Sequence, residues 1–209
     1  MSKKAKNIAS LILNAFIFVN VIYCILWFYI GGGQGNMLVS GSKCFMFYTI
    51  DSNVLCALSC LVVMFYNIKA LKTGELELPK GAVIFKFCGT VAVTVTLIVV
   101  VIFLGPTQGY PKMFTGTNIF MHLINGIAAL LSFLVFEKGF GLSKKEALWG
   151  DASVVVYGTL YLIMVIIVKK WQDFYGFATV LKWYISYPGM ILFGLFLSLL
   201  IRRIYDSKK

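Results

Sequence analysis

Apolar stretches of about 20 residues recur along this chain, at about 8–30, 45–68, 82–104, 116–136, 149–169 and 183–203. At roughly 1.5 Å per residue, a helix of that length crosses a bilayer core of roughly 30 Å. The chain is 60% hydrophobic and 13% charged, more apolar surface than a soluble domain can hide. The connections are short, so the pattern predicts one all-α domain over 1–209. It is expected to be a polytopic six-transmembrane-helix bundle with no separate soluble domain. The first stretch is full length and lacks a small-residue cleavage site, so it reads as a span and not as a signal peptide.

Basic residues orient such a bundle. With the N-terminus cytoplasmic, 14 of the 19 Lys and Arg fall on that side. Lys43, Lys112, Lys169, Lys170 and Lys182 fall on the other. Both termini are therefore expected in the cytoplasm, with residues 31–43, 105–115 and 170–182 outside, in a multi-pass protein of the cell membrane. The net charge of +11 then serves topology and contact with anionic lipid headgroups. It argues against a nucleic-acid partner, because no soluble basic surface is available to carry one.

Cys24, Cys44, Cys56, Cys60 and Cys88 are odd in number and scattered, giving neither a disulfide framework nor a zinc spacing. With one histidine and few carboxylates, neither a protein-ligated metal nor a cofactor is expected. Gly31-Gly32-Gly33-Gln34-Gly35 reads as a flexible outer loop. No strand precedes it and no Gly-Lys-Ser/Thr follows, which argues against a phosphate cradle. The segment from Lys169 to Phe177, running on to Trp183 and Pro188, reads as an interfacial aromatic belt. A lid over an outward-facing cavity is the sharper alternative.

His122 sits inside the fourth apolar run, and an ionisable group there normally faces a protein interior or a wet cavity. Asn118, His122, Asn125 and Ala129 fall at the same helical offsets as Thr49, Asn53, Cys56 and Cys60 in span two, so each set forms one stripe. Small and amide-bearing stripes in greasy helices face the bundle interior, and the plain reading of Asn53, Asn118 and Asn125 is glue between helices. Thr49 and His122 lie about four and six residues into their spans, roughly 6–9 Å beneath the outer interface. A threonine hydroxyl attacks an ester only when something takes its proton, so a hydroxyl and an imidazole at matched depth suit a nucleophile and its general base.

Phe47-Tyr48-Thr49-Ile50-Asp51-Ser52-Asn53 and Asn118-Ile119-Phe120-Met121-His122 resemble two motifs of the androgen-induced (FAR-17a-like) family of six-span proteins. The likeness extends over the whole chain in span count and length, while its specific part is these two motifs. It implies an atypical threonine hydrolase of lipid esters, such as fatty-acid esters of hydroxy fatty acids, with Thr49 as nucleophile, His122 as base and no cofactor. The chain departs from the family at Ile127, Ala128 and Ala129, where a proline is common. It departs again at Tyr175-Gly176-Phe177, where relatives often have Tyr-Pro. These changes leave the dyad and alter the pocket.

Among the remaining groups, Asp51 points about 200° away from Thr49 and is expected to pair with Lys43 or Lys112. Asp151 reads as a helix N-cap, and Lys86 as a lysine snorkelling to headgroups. Asn53 and Asn118 are candidates for orienting His122 and polarising a carbonyl. Tyr184 and Tyr187 are candidate oxyanion donors or belt residues. The expected function is hydrolysis of a lipid or fatty-acyl ester inside the membrane. The alternatives are a small transporter and a non-catalytic lipid-binding protein. A transporter needs a path to both faces, and the cytoplasmic halves of spans two and four read as nearly all apolar.

Overall fold

The computed structural model describes residues 1–35, 37–137, 139–178 and 182–207. Lys138, Lys208 and Lys209, counted above as cytoplasmic, lie outside the described residues, as do Asn36 of the glycine-rich loop and 179–181 of the last outer segment. Among the described residues the regular structure is helical, with no strand. The long helices are α1 (Lys3–Tyr29), α2 (Tyr48–Thr73), α3 (Lys80–Gln108), α4 (Phe120–Phe136), α5 (Lys144–Ile167) and α6 (Trp183–Ser207). All but α4 are long and apolar enough to cross a membrane, which makes this a multi-pass membrane protein. With Asn118 and Ile119 helical directly ahead of it, the α4 helix is about 28 Å long.

Side-chain polarity is inverted relative to a soluble protein. Phe65, Ile102, Val156 and Leu192 point outward, while Asn14, Asn53, Asn67, Lys86 and Glu137 are fully buried. Lipid solvates the first group, and neighbouring helices must satisfy the second.

Local chemistry sets the helix ends. The Ser2 hydroxyl accepts from the Ala5 N–H at 3.2 Å to start α1. Gly74, at φ +88°, closes α2 by donating its N–H to the Ala70 carbonyl at 2.9 Å; the left-handed backbone there favours glycine. α5 opens on a capping box between Ser143 and Glu146. The N-cap expected at Asp151 is therefore absent: its carboxylate caps nothing and is buried beside α6.

On α1 the buried residues are Asn7, Ser10, Asn14, Ile17, Val21, Cys24 and Phe28, alternately three and four apart. Thr49, Asn53, Cys56, Cys60, Val63, Asn67 and Ala70 on α2 repeat that spacing and are buried too. Two such seven-residue repeats mesh as a left-handed pair, and α1 and α2 pack along most of their length. α3 is the central helix, with 61% of its most apolar stretch buried against 22% for α5. It contacts α2, α4, α5 and α6. A Cβ at Gly89 would lie 2.8 Å from the Cys56 Cα, so glycine lets α3 and α2 meet backbone to backbone. Both described termini lie at one end of the bundle, the terminal end; the starts of α2 and α4 lie at the opposite, loop end.

Candidate functional site

Thr49 is the second residue of α2 and His122 the third of α4. Both helices start later than the apolar runs suggest. Residues Gly41–Met46 form a separate 3-10 turn, and Thr115–Thr117 make a turn before α4. Thr49 sits in the first turn of its helix, while Asn118 and Ile119 are already helical and place His122 one turn in. All eight residues of the two stripes are buried.

His122 is fixed by a backbone group. Its Nδ1 lies 2.6 Å from the carbonyl of Met113, which the short helix Tyr110–Phe114 presents. A carbonyl only accepts, so Nδ1 carries the proton and Nε2 keeps its lone pair in the neutral ring. Nε2 is buried and has no hydrogen-bond partner among the described residues. The α4 backbone around it, Phe120–Ile124, is a π-turn, a local widening often found where a helix carries function.

The asparagines are largely committed to holding the helices together. Asn53 Nδ2 donates to the carbonyls of Thr49 at 2.7 Å and Met121 at 2.9 Å. Its Oδ1 accepts from Asn125 Nδ2 at 2.8 Å, and Asn125 Oδ1 accepts from Asn20 Nδ2 at 2.7 Å. Asn53 thus ties the backbone of Thr49 to the residue before His122. Asn118 holds two loop-end segments, donating to the carbonyls of Gln34 at 2.8 Å and Lys112 at 3.3 Å. Orientation of His122 falls to Met113 instead of Asn53 or Asn118. Gly35 sits at φ +64° in that contact, where a Cβ would come 2.1 Å from the Lys112 carbonyl oxygen. The glycine-rich loop is therefore packed down at Gly35, and Met37 after it is buried.

Thr49 lines a cavity of about 60 Å³ among α2, α3, α5 and α6, together with Thr96, Tyr157, Tyr161, Tyr175 and Tyr187. His122 is not part of that wall, and its Nε2 is not bonded to the Thr49 hydroxyl. The structure places the two on the same helix–helix contact without joining them.

Tyr175 and Phe177 of the aromatic segment line this cavity, while Trp183 and Tyr184 remain exposed. Phe174 packs at a tilt on Phe47 and edge-on to Tyr161, and Phe177 packs at a tilt on Phe103. Tyr175 accepts the backbone N–H of Tyr48 at 2.9 Å, and burial raises its phenol above the usual range, keeping it neutral. Asp173 anchors the turn, accepting from the Tyr161 hydroxyl at 2.7 Å and the Ala178 N–H at 2.9 Å. Tyr187 is in the wall, its hydroxyl 2.6 Å from that of Thr159. Tyr184 is exposed beside the Lys182 ammonium, away from the cavity.

Three sequence expectations change. Asp51 forms no ion pair with Lys43 or Lys112; those lysines take no acidic partner. Lys86 does not snorkel: it is fully buried, donating to Asn14 Oδ1 at 2.7 Å and Cys60 Sγ at 3.0 Å. The terminal halves of α2 and α4 are not apolar inside, because Cys60, Asn67, Ser132 and Glu137 meet Ser10, Asn14 and Lys86 there. Asn7, Ser10 and Asn14, spaced three and four apart, were the sequence signal for that cluster; the Met113 carbonyl had none. Among the described residues, no three His, Cys, Asp or Glu side chains converge as metal ligands. No family model, curated protein or solved structure matches this chain.

Proposed function

We propose that the chain is an intramembrane hydrolase of lipid esters, with Thr49 as nucleophile and His122 as general base. It would work in a six-span bundle of the cell membrane, with α4 as the sixth span and both termini in the cytoplasm. The observation that carries this reading is the His122 ring, whose Nδ1 is pinned by a carbonyl and whose buried Nε2 is left free to accept a proton.

Thr49 Oγ1 would attack the acyl carbonyl while its proton passes to His122 Nε2. The tetrahedral intermediate would collapse as that proton goes to the departing alcohol oxygen. Water would then attack the acyl-threonine with His122 again taking a proton, releasing the fatty acid and restoring both residues. Catalytic contacts often tighten only with substrate bound, and here the Thr49 hydroxyl must close onto Nε2. Ligand pockets typically run to about 300 Å³ or more, so an acyl chain entering the 60 Å³ cavity must part the Phe174–Phe177 segment from α2 and α5.

The test is covalent labelling by a fluorophosphonate ester carrying an alkyl chain. The label should map to Thr49, persist in Thr49→Ser and vanish in Thr49→Ala along with ester turnover. Undiminished turnover in a folded Thr49→Ala variant would discard the threonine mechanism and leave a lipid-binding protein as the better reading.

A further inference from the structure

Away from Thr49 and His122, the terminal half of the bundle buries a charge pair. Lys86, on α3, and Glu137, the residue that follows α4, are both fully inaccessible. An ionisable residue inside a membrane is costly and usually functional. The geometry shows how this pair differs from a structural tie.

Glu137 uses its two oxygens unequally. Oε1 takes Ser10 Oγ at 3.2 Å, Asn14 Nδ2 at 2.6 Å and the Ser132 hydroxyl. Among the described residues Oε2 takes no hydrogen bond, and it lies 4.0 Å from Lys86 Nζ, beyond the reach of one. Lys86 meanwhile directs two N–H groups at Asn14 and Cys60. A pair built only to lock helices would close that gap. This one leaves a bare carboxylate oxygen where a proton can sit.

Gly139, two residues beyond Glu137, lines an open groove of about 760 Å³ at the terminal end, with Tyr66, Leu78, Pro79 and Phe140. The Gly139 N–H donates to the Tyr205 hydroxyl at 2.8 Å, which donates to the Glu137 carbonyl at 3.1 Å. The other titratable groups around the pair are Cys60 and Cys56 on α2 and Tyr205 on α6. From α1 it meets only the neutral Ser10 and Asn14. Lys138 follows directly in the chain and lies outside the described residues.

We propose that Glu137 and Lys86 form a buried proton-binding site two residues from this groove, in which hydronium gives its proton to Glu137 Oε2 and leaves as water while Lys86 keeps its charge. Neutralising Glu137 leaves the Lys86 ammonium buried with neutral partners, so uptake must shift the packing of α1, α3 and α4 around it. The site binds a proton as its ligand, independently of the ester chemistry at the loop end.

Infrared difference spectroscopy on the full chain in lipid nanodiscs tests this across a pH titration. Wild type should gain the carbonyl stretch of one protonated carboxylic acid as pH falls, and Glu137→Gln should lack it. Asp51 and Asp151 also carry shielded carboxyls, so subtraction of the Glu137→Gln spectrum makes the assignment. Because that variant strands Lys86, Glu137→Gln combined with Lys86→Met provides a neutral control expected to fold. It should take up one proton fewer than wild type, counted with an indicator dye. Lys86→Met alone should hold the Glu137 acid band at every pH. A titrating band unchanged in the double variant, or a Glu137 that stays ionised wherever the protein is folded, would overturn the proposal and leave the pair a static tie.

Discussion

Asn125 reaches across from α4 to donate its amide to the Asn53 side-chain oxygen on α2 at 2.8 Å. That contact sits one helical turn from both Thr49 and His122, and Asn53 spends its two N–H groups on backbone carbonyls from each helix. The residues that glue the helices therefore also set the spacing of the proposed dyad.

A double-mutant cycle on Asn53→Ala and Asn125→Ala should give a coupling of about 0.6–1.7 kcal/mol, the range for interhelical hydrogen bonds in membranes. Reversible unfolding in mixed micelles measures it. Strict additivity would mean that the two amides act apart.

His122→Gln keeps size and hydrogen-bonding capacity but accepts no full proton. It should fold and bind lipid while ester turnover falls about 10²–10⁴-fold, the usual worth of positioned proton transfer. Turnover and thermal melting on the same preparation separate the roles. A destabilised yet fully active variant would take His122 out of the chemistry.

Tyr175→Phe removes the acceptor of the Tyr48 N–H at the start of α2. Leaving that donor unpaired should lower stability by about 1–3 kcal/mol and loosen the inward-turned segment. Thr49 should then be labelled faster by long-chain probes. An unchanged rate would show that chains enter elsewhere.

Gly194→Ala would put a methyl group 2.0 Å from Asp151 Oδ1. Such overpacking costs about 1–3 kcal/mol. Asp151→Ala in the same chain should recover most of the loss in melting temperature, and failure to do so would place the strain elsewhere on α6.

Sidedness is read with cysteines introduced singly as Gln108→Cys and Gln172→Cys, both at the loop end, in a chain lacking Cys44. Each should react with an impermeant thiol reagent in intact cells. Protection of both until lysis would invert the proposed orientation.

The helices were legible because a run of apolar residues carries its own length, and the stripes because spacing fixes which side chains share a face. What escaped was partnership. A lysine one turn into a span normally reaches the headgroups, and Lys86 is instead held by Asn14 and Cys60 from two other helices and faces Glu137 from a third. Asp151 looked like a cap because Gly150 precedes it, yet Ser143 and Glu146 had already started the helix. Met113 orients His122 through its backbone carbonyl, a group every residue possesses, so no side-chain pattern announces it. The aromatic segment matches a belt in composition, and only the ring contacts of Phe174 and Phe177 turn it inward.

The shortness of α4 has a consequence for the surrounding lipid. Ile127, Leu131 and Val135 form an outward edge on it, and the helix from Asn118 is roughly 2 Å shorter than the average hydrocarbon thickness. Mismatch of that kind is relieved by local thinning of the bilayer, at a fraction of a kcal/mol per ångström. In the proposed six-span arrangement, acyl chains beside α4 would be compressed, and the headgroup plane would dip toward the end of the helix near His122. In the proposed hydrolase, thickness would then bear on the loop-end chemistry. Turnover should peak in bilayers of short-chain lipids and decline as the acyl chains lengthen, with no change in the protein itself.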